Sequence, residues 1–121
     1  MPDDERTHVE ETFDSTAEHG SGVSVVSVAG EVDVATAPAL QTRLDEAIDR
    51  ASPLVVADLS KVTFIDSTAL GVLIGARERC AGAGMTMRLV VAEPRILKIF
   101  DITGLTELFD IRSTRAEAVQ P

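Results

Sequence analysis

Asp66, Ser67 and Thr68 carry three consecutive side-chain oxygens. They stand between the apolar pair Phe64-Ile65 and the run Ala69-Leu70-Gly71-Val72-Leu73-Ile74-Gly75. An extended segment that turns into a helix here puts the Ser67 hydroxyl at the positive end of a helix dipole, where a phosphate is tolerated. The hydroxyl then either caps free backbone N–H groups or accepts a group from outside. Nucleophilic catalysis fits poorly, because a serine nucleophile needs a base at its hydroxyl. The two histidines, His8 and His19, both fall in an acidic leader. The nucleophile elbow G-x-S-x-G is also absent, since Ile65 and Ala69 stand where its glycines would be.

Asp33, Asp58 and Asp66 invite a second reading, as a metal or phosphate-transfer cluster at strand ends. A receiver domain would take Asp58 as its acceptor. It would also need an acidic pair after the first strand and a lysine after the last, and neither is evident. The simpler expectation is that Asp33 and Asp58 cap turns and helices. No Gly-rich phosphate loop of either common pattern occurs. Gly71 and Gly75 are more informative. On a helical wheel they lie opposite the Ala69/Leu73/Cys80 stripe, with Glu78 between them. Each glycine weakens an exposed helix by up to about 1 kcal/mol relative to alanine. A pair one turn apart suggests that another backbone approaches closely there. Leu70 and Ile74 would flank the buried stripe, partly exposed, and complete a docking ridge beside Ser67. The alternative is a weak helix packed under a loop.

The elements that must position these residues come from a chain of 121 residues, about one domain. It is 45% hydrophobic but only 3% aromatic, with neither Trp nor Tyr. The core is therefore aliphatic, and stacking platforms for single-stranded nucleic acid are missing. The net charge of −9 is unevenly spread: residues 1–19 hold seven acidic side chains and one basic one, so the rest carries only −3. That balance argues against DNA or an anionic membrane as partner. The lone Cys80 excludes an internal disulfide and suits a reducing cytosol; it is expected in the core rather than reactive. No apolar run reaches the ~18 residues of a membrane span, and no secretory signal pattern opens the chain.

Periodicity predicts β-β-α-β-α-β-α with a short tail. Residues 1–7 read as a disordered acidic leader and His8–Asp14 as a first strand. Ala17–Gly22 is a Gly/Ser turn, and Val23–Ala29 is a stronger strand ended by Gly30. Thr36 is the expected N-cap of a helix with Pro38 in its first turn. Its buried stripe is Leu40, Leu44, Ala47, Ile48 and Ala51. Leu54–Ala57 reads as a central strand covered on both faces, and Lys61–Asp66 as a connection. A second helix spans Thr68–Ala81, burying Ala69, Val72, Leu73, Ala76 and Cys80. Then come a strand over Met85–Val91, a helix over Glu93–Thr103, a strand over Leu108–Ile111, and a frayed helix or tail over 114–121. This order predicts an α/β fold with a mixed, mainly parallel sheet packed with α-helices and an N-terminal β-hairpin.

Gly30-Glu31-Val32-Asp33, Asp58-Leu59-Ser60 and Phe64–Leu73, in that order and spacing, resemble the STAS domain of bacterial anti-sigma factor antagonists. The resemblance covers residues 8–113. Ala69 departs from the glycine that the family often has. The resemblance implies a STAS fold and a partner switch in the cytoplasm, with no catalysis or cofactor of the chain's own. The unphosphorylated form would bind an anti-sigma factor with serine kinase activity and release the sigma factor. Phosphorylation of Ser67 would end that binding, and a metal-dependent serine/threonine phosphatase would restore it. Carried over, Asp66 helps present Ser67, Thr68 is its polar neighbour and Asp33 lies near the site. Two alternatives remain: a STAS adaptor or scaffold that is never phosphorylated, and a module sensing a nucleotide or lipid near Asp33 and Ser67.

Overall fold

The computed structural model describes residues 7–13 and 22–120. The expectations for residues 1–6, for Ala17–Ser21 and for His19 lie outside the described residues. The elements are β1 (Thr7–Phe13), β2 (Val23–Val32), α1 (Ala37–Asp49), β3 (Leu54–Ile65), α2 (Ser67–Gly82), β4 (Thr86–Val90), α3 (Pro94–Ile102), β5 (Asp110–Arg112) and α4 (Arg115–Ala118). Thr7 and His8, expected in or beside a mobile leader, belong to β1, which pairs antiparallel with β2 as the predicted hairpin.

The five strands lie in sequence order, β1-β2-β3-β4-β5, and β2 to β5 are parallel. Order fixes the layers. Each crossover steps to the next strand in the same direction, and right-handed crossovers then put every intervening helix on one face. The main core confirms this: Val26, Val28, Val55, Ala57, Leu59 and Leu89 of the sheet pack with Leu40 and Leu44 of α1, Leu73 of α2 and Phe100 of α3. A receiver-type sheet, with helices on both faces, is thereby set aside. The opposite face shows Val23, Val25, Leu54, Val56 and Val90, covered by Ala118 of α4. Leu54 to Ala57 are accordingly buried on both sides.

The sequence-based boundaries fail where geometry is local. β2 continues past Gly30 to Val32, because Gly30 takes a φ of 88° at a register shift in the pairing with β3. Such irregularities are where a strand keeps a glycine. β3 does not stop before Lys61 but runs on to Ile65, with two irregularities that hide its alternation. Ala51 is not in the α1 stripe. It lies beyond the helix end at a φ of 58° and is exposed. On α2, Leu70 is buried (8% exposed) within the main core. Val72 is only half-buried and packs against that core from its edge. The inward face is therefore rotated from the one expected. Near the end, Phe109 turns inward onto Phe100, edge to face at 6.0 Å, so β5 begins at Asp110 rather than Leu108. α4 is a single turn with a fully buried Ala118, capped by Thr114.

Candidate functional site

The region around Ser67 forms where β2 and β3 end side by side. Val32 and Ile65 are register partners, and Asp66 N–H donates to Val32 O at 3.2 Å. Asp33 and Asp66 therefore leave adjacent strands at the same edge, Asp66 opening α2 and Asp33 the turn that leads into α1. Asp58 is elsewhere: it lies on the face covered by α4, so the three aspartates do not make one cluster.

Asp66, not Ser67, is the N-cap of α2. Its backbone is extended (φ −111°, ψ −179°), and its Oδ1 accepts from Ala69 N–H at 3.0 Å. Ser67 becomes the first helical residue, and the hydroxyl expected as a possible cap is released from that duty. Ser67 and Thr68 are exposed, and the Ser67 hydroxyl makes no hydrogen bond among the described residues. Asp33 holds the facing turn. Its carboxylate accepts from the N–H groups of Ala35 (3.0 Å) and Thr36 (3.2 Å). The Thr36 hydroxyl accepts from Asp33 N–H at 2.9 Å instead of capping α1, and it donates to Glu31 O at 3.2 Å.

The glycines divide. A Cβ on Gly71 would meet nothing within 4 Å, and the residue is exposed. A Cβ on Gly75 would lie 3.4 Å from the Arg79 guanidinium. Arg79 passes over Gly75 to reach Asp45 of α1, with Nη2 2.5 Å from Oδ1. Gly75 thus has an intramolecular neighbour, whereas Gly71, in the first turns of α2, has none. Ile74 is half-buried and packs against the core from its edge. Leu70, expected on the ridge, is a core residue.

Sequence reasoning missed the apolar surface beside Ser67. Val34, 67% exposed, and Phe64, 48% exposed, stand at the two strand ends. An open groove of about 390 Å³ runs between the starts of α1 and α2, lined by Val34, Ala37, Pro38, Gln41, Thr68 and Val72, none of them charged. The available signal was a β-branched valine in a turn, outside any periodic stripe.

Cys80 is 1% exposed, and burial pushes its thiol pKa up, so it is inert packing. Among the described residues no group of acids, histidines or cysteine could hold a metal ion. No described helix is long and apolar enough to cross a membrane.

The family model described as the STAS domain matches residues 14–118. The chain belongs to the STAS family, among its anti-sigma factor antagonists. It is 35% identical to the anti-sigma-B factor antagonist of Bacillus subtilis (strain 168) over 95 residues, 78% of this chain and 86% of that one. It is 30% identical to the anti-sigma-F factor antagonist RsfB of Mycobacterium tuberculosis (strain CDC 1551 / Oshkosh), over 87% of this chain and 84% of that one. Among solved structures, an anti-sigma factor antagonist from Mycobacterium paratuberculosis superposes with a TM-score of 0.83 at 28% identity, covering 98% of this chain and 96% of that one. The mainly parallel sheet packed with helices and opened by a hairpin is the STAS fold that the sequence resemblance implied.

Proposed function

We propose that this chain is a partner switch whose unphosphorylated form binds an anti-sigma factor with serine kinase activity, frees the sigma factor, and lets go once Ser67 is phosphorylated. The observation that carries the reading is the division of labour at the start of α2. Asp66 caps the helix through Ala69 N–H, so Ser67 keeps an exposed, uncommitted hydroxyl beside an uncharged apolar groove. A phosphoryl group adds about −1.5 to −2 charges at neutral pH. At the first turn of α2 the helix dipole favours that charge, so the fold survives. Against a partner seated on Val34, Phe64 and Val72, the same charge would have to be desolvated without a cation of this chain to pair it, which is strongly unfavourable. Phosphorylation therefore acts on binding rather than on folding.

In this reading the docking surface is Asp33, Val34, Phe64, Asp66, Ser67, Thr68, Gly71, Val72 and Ile74. Gly75 contributes by letting Arg79 brace α1 against α2, and Leu70 by holding α2 on the core. The chain works by binding, in the cytoplasm, and a metal-dependent serine/threonine phosphatase resets it.

The test is intact mass after incubation with Mg-ATP and the candidate anti-sigma kinase. Wild type gains about 80 Da, the mass of one phosphoryl group, and Ser67→Ala gains nothing while still binding the kinase. A wild-type chain that stays unmodified by a kinase active on another antagonist sinks the phosphorylation step. Retained binding in that case leaves a non-phosphorylated adaptor on the same surface.

A further inference from the structure

Asp33, Val34, Ala35 and Thr36 carry the chain from the end of β2 to the start of α1. Their polar groups are tied to one another. The Asp33 carboxylate accepts from Ala35 N–H at 3.0 Å and from Thr36 N–H at 3.2 Å. The Asp33 carbonyl accepts from Thr36 N–H at 3.0 Å and from Ala37 N–H at 2.7 Å. The Thr36 hydroxyl accepts from Asp33 N–H at 2.9 Å, and its own proton faces Glu31 O and Asp33 Oδ1, each 3.2 Å away. Side chain and backbone therefore bond in both directions between Asp33 and Thr36, the reciprocal logic of a capping box. Thr36 stands at the N-cap of α1 yet gives that helix no side-chain bond. Its hydroxyl serves the turn.

The residue this turn displays is out of keeping with its place. Turns favour Gly, Pro, Asn, Asp and Ser, whereas a β-branched valine suits a strand. Val34 is nonetheless 67% exposed, so its side chain adds little to the core. It lines the uncharged groove together with Ala37, Pro38 and Gln41 of α1 and Thr68 and Val72 of α2. Thr68 is the immediate neighbour of Ser67. Asp33 and Thr36 are not among the lining residues. Two polar side chains thus fix the backbone, and an apolar one is held in water beside the acceptor of the proposed switch. A contact ordered before binding costs less conformational entropy when a partner covers it, and covering apolar surface is favourable in itself.

We propose that Val34 is a specificity-determining contact, taking an uncharged aliphatic or aromatic side chain of the anti-sigma factor, and that Asp33 and Thr36 are positioning residues that act through the turn holding it. The inference rests on the partner-switch reading and adds the chemistry of one contact. It gives Asp33 a role that needs no charge: its carboxylate works as an acceptor for N–H groups of the turn, not as the ion-pair partner of a cation.

The test is calorimetric titration of the full-length chain with the candidate anti-sigma factor, on proteins whose thermal melts show them folded at the working temperature. Val34→Ala, at an exposed site, should weaken binding about tenfold, the worth of roughly two methylene-sized groups leaving apolar contact. Val34→Thr, of nearly the same shape, should weaken it by a similar factor, because a hydroxyl is then desolvated. Thr36→Val removes the hydroxyl and should approach the loss seen in Val34→Ala, while Thr36→Ser restores affinity. Asp33→Asn keeps the acceptor oxygen and should bind several-fold more tightly than Asp33→Ala. Thr36→Val added to Val34→Ala should cost almost nothing further, since the turn then has no anchor to hold. Phosphorylation by the same partner supplies a second readout: Thr36→Val should raise KM and leave kcat unchanged, because Ser67 is presented from the neighbouring strand end. Wild-type affinity in both Val34 variants, additive losses in the double variant, or an Asp33→Asn protein as weak as Asp33→Ala would each overturn the proposal and leave the switch standing. A wild-type chain that does not bind the anti-sigma factor overturns both.

Discussion

Ser67 is available because Asp66 is not. Both residues are good helix caps, and the sequence alone leaves either one in that role. The chain turns one residue early because Asp66 is still held by Val32 O in the sheet, with extended backbone angles, and its short carboxylate reaches Ala69 N–H. The capping chemistry was legible in the residue types, but which oxygen performs it depended on the strand next door. The prediction is specific to the side chain. Asp66→Ala should lower stability by about 1 kcal/mol, the usual loss for an N-cap, read as a lower urea midpoint at unchanged slope. Asp66→Asn, which keeps the acceptor, should retain most of it. If the cap also presents Ser67, Asp66→Ala should slow phosphorylation of the folded protein by the anti-sigma kinase more than Asp66→Asn does. Equal rates in all three proteins would reduce Asp66 to a structural role.

At the scale of elements, α2 carries both Ser67 and the strongest legible signal. The stripe Ala69, Leu73, Ala76 and Cys80 was readable from the helical period and is buried. Leu70 and Val72 were misplaced because both flank that stripe, and only the direction of α1 decides which side closes. β3 was read too short, since its two irregularities at Leu59–Ser60 and near Thr63 scramble the period of two by which a strand declares itself. The glycines of α2 offer an opposed pair of effects. Gly71→Ala adds a methyl where nothing lies within 4 Å, so it should stabilise the free chain by up to about 1 kcal/mol through helix propensity alone. The same methyl stands where a partner backbone would sit, so affinity for the anti-sigma factor should fall. Gly75→Ala meets only the far end of the flexible Arg79 side chain, so it should change affinity less. Calorimetric titration alongside thermal melts separates the two. A Gly71→Ala protein that is more stable and binds as tightly as wild type would remove Gly71 from the interface.

The molecule as a whole is a sheet with an unequal pair of faces: three helices on one side and a single turn, α4, on the other. Sequential strand order makes that asymmetry inevitable, and the alternation of strands and helices was enough to foresee the parallel sheet. The closure of the second face was not foreseeable. Asp58 and Arg115 are 57 residues apart in the chain, and no period links them. α4 is held by contacts of this kind. Arg115 pairs with Asp58, Arg88 donates to the carbonyls of Ala118 and Gln120, and Ala118 is sealed over Val25, Val56 and Val90. Ending the chain after Ser113 would uncover that apolar patch and leave the Asp58 carboxylate without its guanidinium. Removing one partner of a buried pair costs about 3–5 kcal/mol. Arg115 is half-exposed, so roughly 2 kcal/mol is a fairer expectation after solvent screening. Acid should expose the same linkage. Burial opposes the charged form of Asp58, but hydrogen bonds from Ser60 and the Arg115 guanidinium outweigh it and hold the carboxyl below its ordinary pKa. Its contribution is therefore complete above the unfolded-state pKa and lost as pH falls through the depressed folded value. The full chain should lose stability steeply across that acidic window. The chain ending at Ser113, already without the pair, should start lower and fall less. Urea midpoints measured from neutral pH downward compare the two, and parallel curves would show that Arg115 does not govern Asp58. Because α4 lies on the face away from Ser67, the shortened chain, assayed where it is fully folded, should still bind the anti-sigma factor with wild-type affinity.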